Sequence, residues 1–287
     1  MNSHQLLGFT TFTYLLASVL YIGLFVFRAQ SLGLIASLAT GLAFLVQTAG
    51  IILRWVESYQ MGYGHAPLSN MYESLVFFSW SIGIFYLWIE WKFKNRLIGA
   101  FSVPFAFLSM AYASFASEIS SEIKPLIPAL QSNWLIAHVV TCFIGYAAFA
   151  VACGMGFMYL VKDRREHEKK TTGDKVTTLV DTLPSPRIID DVTYKSIIFG
   201  FVWLSTGIIT GAIWANEAWG TYWSWDPKET WSLITWFVYA AALHARFTRG
   251  WGGRRIAWIA VIGFLSVIFT YYGVNFLLSG LHSYGSS

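Results

Sequence analysis

Between positions 214 and 231 the sequence reads WANEAWGTYWSWDPKETW, five tryptophans and a tyrosine interleaved with acids and a lysine. So many flat apolar faces in one connection suit a planar apolar ligand. The competing reading is the aromatic belt that anchors membrane helices at the interface. A belt spreads its rings over many helix ends, whereas Trp214, Trp219, Tyr222, Trp223, Trp225 and Trp231 crowd one loop. Loop indoles, moreover, have no span to anchor. The stretch therefore reads as a shelf for a large planar group, carried by Trp219, Trp223, Trp225 and Trp231. Its last residues also spell a helix start, with Asp226 as N-cap, Pro227 at the first helical position and Glu229 reaching back. Asp226 reads first as that cap and second as a contact to the ligand.

Six histidines are few enough to place one by one. His4 sits in the leading tail, and His167 lies in the charged run KDRREHEKK. His65, within GHAPLSNMYES, reads as a loop histidine making a hydrogen bond. His138 and His282 bracket the tryptophan loop in sequence and share its depth. Each alone reads as an interfacial histidine; together they offer two neutral imidazoles, the axial pair of a haem iron. A propionate of such a ring would find a helix N-terminus or a cation, Lys228 or Arg54. His244 lies 18 residues beyond Asp226, about 27 Å along a helix. It reads either as a histidine reaching for headgroups or as a functional group within the span.

Cys142 and Cys153 stand eleven apart on one apolar run, about 16 Å along a helix and too far for a disulfide. They read as space-filling thiols. No Cys-x-x-Cys-His occurs, so the chain is not itself a c-type cytochrome.

The elements that must position these groups are membrane helices. Of 287 residues, 56% are hydrophobic and only 12% charged, a membrane composition. Eight apolar runs are long enough to cross a bilayer: 6–27, 32–53, 71–91, 97–115, 134–161, 196–216, 230–247 and 256–279. The expectation is an all-α polytopic membrane protein, a single integral-membrane domain over 1–287 with its tryptophan-rich loop at 214–231. The first run reads as a retained span, since its leader MNSHQ carries no Lys or Arg. Connections after odd-numbered runs hold sixteen Lys and Arg, the other side three. By the positive-inside rule both termini face outward, and the tryptophan loop with them. The longest connection, 162–195, is then a basic cytoplasmic loop, in which Pro184 and Pro186 break any helix through 176–190. Basic loops here report orientation, and no nucleic-acid partner is expected.

At this level of detail the motifs become recognisable. The stretch WANEAWGTYWSWDPKETWSLITWFVYAAALHAR, 214–246, resembles the "WWD" signature of haem-handling proteins of cytochrome c maturation. GHAPLSNMYESLVFFSW (64–80), LQSNWLIAHV (130–139), IDDVTYKSIIFGF (189–201) and NFLLSGLHSYG (275–285) are similar to the CcsA branch, part of the system II cytochrome c synthetase. The resemblance implies that haem b is carried outward and joined to Cys-x-x-Cys-His motifs of apocytochrome c. It implies His138 and His282 as the two external axial ligands, and His244 as a histidine that holds haem within the membrane. The second inner histidine would come from a CcsB-type partner protein, because this chain has no such portion. Thiol-reducing proteins on the outer face are implied as further partners. The expected location is a bacterial inner membrane, or a thylakoid membrane if the gene is organellar. No protein nucleophile is needed, since thiols add to the haem vinyl groups and positioning is the main contribution. Two rivals stand beside the synthetase: a haem exporter without ligase activity, and a respiratory dihaem subunit. The latter would normally supply both ligands of an inner haem itself.

Overall fold

A computed structural model describes residues 2–172, 178–278 and 280. His282 therefore lies outside the described residues. Among these, every regular element is helical: α1 (Ser3–Phe27), α2 (Gln30–Gln60), α3 (Met71–Phe93), α4 (Gly99–Phe115), α5 (Asn133–Thr172), α6 (Pro186–Trp219), α7 (Pro227–Arg249) and α8 (Arg254–Ile268). A five-residue π turn, Phe269–Gly273, continues α8 into a last helical turn, Val274–Leu277.

The ends of these helices follow local chemistry. Asn2 and Gln5 form a reciprocal capping box on α1 (2.9 and 3.1 Å), and Asn70 caps α3 by accepting from the Glu73 amide at 2.9 Å. Pro186 opens α6 at its first helical position, where a proline has no bond to lose. The break expected through 176–190 thus ends at Pro186. Extensions of α5 to Thr172 and of α6 back to Pro186 supply most of the 162–195 connection.

Seven described helical stretches are long and apolar enough to cross a membrane: α1 to α6, with the short 3-10 turn ahead of α4, and Arg254–Leu277. The sequence suggested eight. The remaining run is α7, 23 residues and about 34 Å long. Its length suffices, but Lys228, Glu229, His244, Arg246 and Arg249 dilute its apolar face. Polar side chains at both ends of α7 serve other tasks described below.

At the centre of the bundle stands α5, buried almost continuously from Thr141 to Met158. Without a hydrophobic drive between helices in lipid, close backbone approach at small residues holds such bundles together. A Cβ on Gly145 would meet the Gly200 carbonyl of α6 at 3.0 Å. One on Gly154 would run into the Phe101 carbonyl of α4, and one on Gly156 would meet the Ala257 carbonyl of α8 at 2.7 Å. Helices α1 and α2 form a hairpin against α3 and α4. Gln47 locks it, accepting from Tyr14 (3.0 Å) and donating to the Val76 carbonyl (2.9 Å).

Polar ties fix the two ends of the bundle. Near the tryptophan loop, Arg54 of α2 pairs with Glu73 of α3 at 2.7 Å, both nearly fully buried. At the opposite, basic end, Asp190 of α6 accepts from both Arg246 terminal nitrogens (3.0 and 2.7 Å) and from the Gly253 amide (2.7 Å). That tie holds the far end of α7 against α6 and α8.

Candidate functional site

A cavity opens at the end of the bundle that carries the tryptophan loop. Its empty volume, counted to the open mouth, is about 1430 Å³. Helix α5 contributes His138, Val139, Cys142, Phe143 and Tyr146; α6 contributes Ile208, Gly211, Ala212 and Trp214. The loop adds Tyr222 and Trp223, α7 adds Lys228, Glu229 and Ser232, and the π turn adds Thr270 and Tyr271. Asn275 and Phe276 follow, and the start of α3 with the 116–132 segment closes the remaining wall.

His138 is seated by glycines on the neighbouring helix. Its Nδ1 lies 2.8 Å from the Gly207 carbonyl oxygen. A carbonyl can only accept, so Nδ1 carries the proton and Nε2 is the nitrogen with the lone pair. A Cβ on Gly211 would fall 2.5 Å from the same Nδ1, and one on Gly207 would fall 2.5 Å from Cys142 Sγ. This Gly-x-x-x-Gly pair therefore makes the groove that receives the ring. Trp214, 2% exposed, stacks on the imidazole with centroids 6.0 Å apart and planes 15° apart. Its indole nitrogen donates to the Ala129 carbonyl at 2.8 Å, tying the 116–132 segment to α6.

The tryptophans expected to form one shelf are divided among several tasks. Trp223 lines the cavity. Trp225 meets it edge-on at 5.7 Å, is 68% exposed and adopts a left-handed backbone with φ 59°. Trp219 packs edge-on against Trp214 at 4.8 Å. Trp231 packs on Phe269 of the π turn at 4.1 Å, and its carbonyl accepts from Thr270 at 3.2 Å. Asp226 is buried at the start of α7 and forms the expected capping box with Glu229: the Asp226 amide donates to the Glu229 carboxylate at 3.2 Å, and the Glu229 amide donates to the Asp226 side chain. Gly280, two residues before His282, abuts Asp226: a Cβ there would fall 2.5 Å from Oδ1.

His65 stands elsewhere. Buried at 7% exposure, it has Nδ1 3.1 Å from the Ala66 carbonyl and Nε2 2.9 Å from the Lys124 carbonyl. It staples the connection before α3 to the 116–132 segment and does not line the cavity. The cavity's Glu118 carboxyl is held below the usual carboxylate range by a backbone amide and the Tyr112 hydroxyl. His244 is exposed near the basic end of α7, far from the cavity, on one stripe with Ile234, Phe237 and Ala241.

Several contributors were not singled out from the sequence. The groove of Gly207 and Gly211 had a readable signal, small residues four apart on an apolar run. The π turn and the meeting of Asn275 with Lys228 at 2.8 Å had none, because they depend on how distant helices abut.

The fold and site define a polytopic helical membrane protein with an aromatic cavity built around one oriented histidine. A profile of the cytochrome C assembly protein family matches residues 68–282. The "Cytochrome c biogenesis protein CcsA" of Prochlorococcus marinus (strain MIT 9303) is 41% identical over 97% of this chain and 92% of its own length. That of Guillardia theta is 40% identical over 96% and 94%, and that of Porphyra purpurea 40% over 90% and 89%. A solved "Cytochrome c Heme Lyase CcmF" shares the fold, with a TM-score of 0.68 at 17% identity. It matches 94% of this chain, which spans only 47% of that one. The chain belongs to the CcsA-type cytochrome c biogenesis family.

Proposed function

We propose that the cavity holds haem b for covalent attachment to apocytochrome c, with His138 as one axial ligand and His282 as the other. Haem handling in c-type cytochrome biogenesis follows from membership of the family. The observation that carries the site assignment is the His138 ring, whose bond to the Gly207 carbonyl fixes the orientation and turns Nε2 into the ligand nitrogen. The residues present fit an iron porphyrin: an imidazole, flat apolar walls and a cation line one cavity. Gly280, two residues before His282 in the sequence, lies against Asp226 at the start of α7, which supports His282 as the second ligand.

When bound, haem supplies an iron that accepts axial imidazoles and two vinyl groups to which thiols add. The chain's own part is to orient the ring and exclude water. Trp214 holds the His138 plane, Trp223 offers a face at the mouth, and Trp219 and Trp231 brace the walls from behind. Asp226 caps the start of α7, against Gly280. No nucleophile of this chain is required, so its contribution is positioning. This makes the chain one component of a haem lyase, with a CcsB-type membrane protein, apocytochrome c and thiol-reducing proteins as partners.

His244 serves a second haem, shared with a histidine of that partner. Its exposed apolar stripe on α7 supports the reading, since a lipid-facing imidazole is costly without a counterpart. All eight helices cross the membrane, a bacterial inner or a thylakoid membrane, and both termini and the cavity face outward. Cysteines introduced at positions 167 and 224 check this: an impermeant reagent labels 224 and spares 167 in intact cells. Function is tested by mixing purified chain and partner with reduced apocytochrome. A covalent c-type spectrum that His138→Ala abolishes supports the assignment; haem release without attachment points to an exporter.

A further inference from the structure

Three charged side chains line the cavity, and they are not equivalent. Glu229 accepts from the Ser224 and Asp226 amides at 2.7 and 3.2 Å. Glu118 accepts from Tyr112 at 2.8 Å. Both carboxylates are thus committed to donors of the protein. Lys228 bonds a neutral group, the Asn275 side-chain oxygen at 2.8 Å, and no described carboxylate lies within ion-pair distance of it. Asn275 is itself oriented by its amide nitrogen, which donates to the Tyr271 carbonyl at 2.7 Å. That bond turns the carboxamide oxygen towards the lysine.

An ammonium group has three donors, and one of them meets Asn275. A buried cation whose charge partner, Asp226, lies beyond ion-pair distance is still costly, and an incoming carboxylate relieves that cost through a charge-assisted hydrogen bond. Arg54, the other cation at this end, pairs with Glu73 at 2.7 Å and donates to the Glu122 carbonyl at 3.3 Å. It does not line the cavity. His138 and Lys228 stand on different walls, α5 and α7, so a ligand touching both is fixed at two points.

We propose that Lys228, oriented by Asn275, is the carboxylate anchor of the cavity: it selects a macrocycle bearing free carboxylates and sets which edge of the ring enters. This inference rests on the cavity being the haem site. The anchor orients the ring by holding one acidic edge on α7, which turns the opposite edge away from that helix. It acts on binding and orientation and takes no part in bond formation.

The test compares iron protoporphyrin IX with its dimethyl ester, which keeps the ring, iron and vinyl groups but carries no charge at its edge. The purified full-length chain is titrated with each, and binding is followed by the Soret band. The wild type prefers the diacid by about tenfold or more, the size of one charge-assisted hydrogen bond. Lys228→Gln loses that preference while keeping its axial spectrum, and Lys228→Arg retains it. Asn275→Asp supplies an internal carboxylate to Lys228 and also loses the preference; it decides the matter should Lys228→Gln fail to fold. An undiminished preference in Lys228→Gln, or in Asn275→Asp, overturns the anchor. A Soret spectrum insensitive to His138→Ala is a different failure, which removes the haem assignment and the anchor with it.

Discussion

Helix α7 ends in two unlike places. At Pro227 it enters a cavity walled by four helices and a tryptophan loop; at Arg249 it ends on a flank where His244 faces outward. The cavity histidine, His138, has a carbonyl on Nδ1, an indole stacked on its ring and glycines that make room for it. His244 has no comparable enclosure: Asp190 grips its neighbour Arg246, while the imidazole shares a stripe with Ile234 and Phe237. A site complete within one chain is built by packing that chain against itself. The partner-dependent site proposed at His244 would instead rest on a helix held in place and an imidazole left uncovered.

The largest effect separating the two ends is expected from His138→Ala. Removing the one histidine that lines the cavity among the described residues should eliminate the low-spin bis-imidazole spectrum of the haem proposed there. An unchanged spectrum would break the comparison, because the enclosed end would then not be the binding end.

Next comes Trp214. Buried and stacked on His138, it should cost about 3 to 5 kcal/mol on truncation to Ala, read as a lower unfolding midpoint of the detergent-solubilised chain. Haem retention should fall with it. Trp225, 68% exposed, should change stability by less than about 0.5 kcal/mol. Equal losses in the two variants would mean that the loop acts as one shelf, as its sequence suggested, and not through a buried brace.

A smaller and sharper change is Gly211→Ala. The added methyl would lie 2.5 Å from His138 Nδ1 and 2.7 Å from Cε1, so the ring must turn out of its groove. Haem affinity should fall and the Soret band shift, while Gly8→Ala, with open space around its Cβ, should leave both unchanged.

How much of this could be read beforehand follows from which interactions are local in sequence. Helix starts at Asn70 and Pro227 were legible because a cap and its partner lie within one turn, whereas Pro186, read as a helix breaker, opens α6. The loop's aromatic excess and His138 were legible as residue types. The sharing of labour among the tryptophans was not, since Trp219 and Trp231 are defined by what they brace, Trp214 and Phe269. The same holds for α7, whose apolar run suggested an ordinary span. Its polar ends belong to the cavity and to the Asp190 tie, so its hydropathy is lower than that of the other seven helices. Between Lys228 and Arg54 sequence could not choose, because the choice depends on Glu73 lying against one of them.

The smallest expected effect sharpens the comparison most. In the isolated chain His244→Ala should change neither the outer spectrum nor the stability measurably, because the imidazole is exposed and packs on no described ring. Co-purified with the CcsB-type partner, the wild type should carry more haem than the isolated chain, and His244→Ala should lose that increment alone. The reasoning is one of ligand count. A bis-imidazole site needs two histidines at one depth, and His167, the other histidine at the basic end, sits on the exposed extension of α5 amid charged neighbours. Asp190 and Arg246 hold the end of α7 in place, so an approaching partner helix would meet a fixed imidazole and pay little to order it. Asp190→Ala should therefore weaken the partner-dependent haem while leaving His138 and its cavity untouched. Two firmly held bis-histidine haems in the isolated chain would defeat the contrast between the ends, since α7 would then be completed from within.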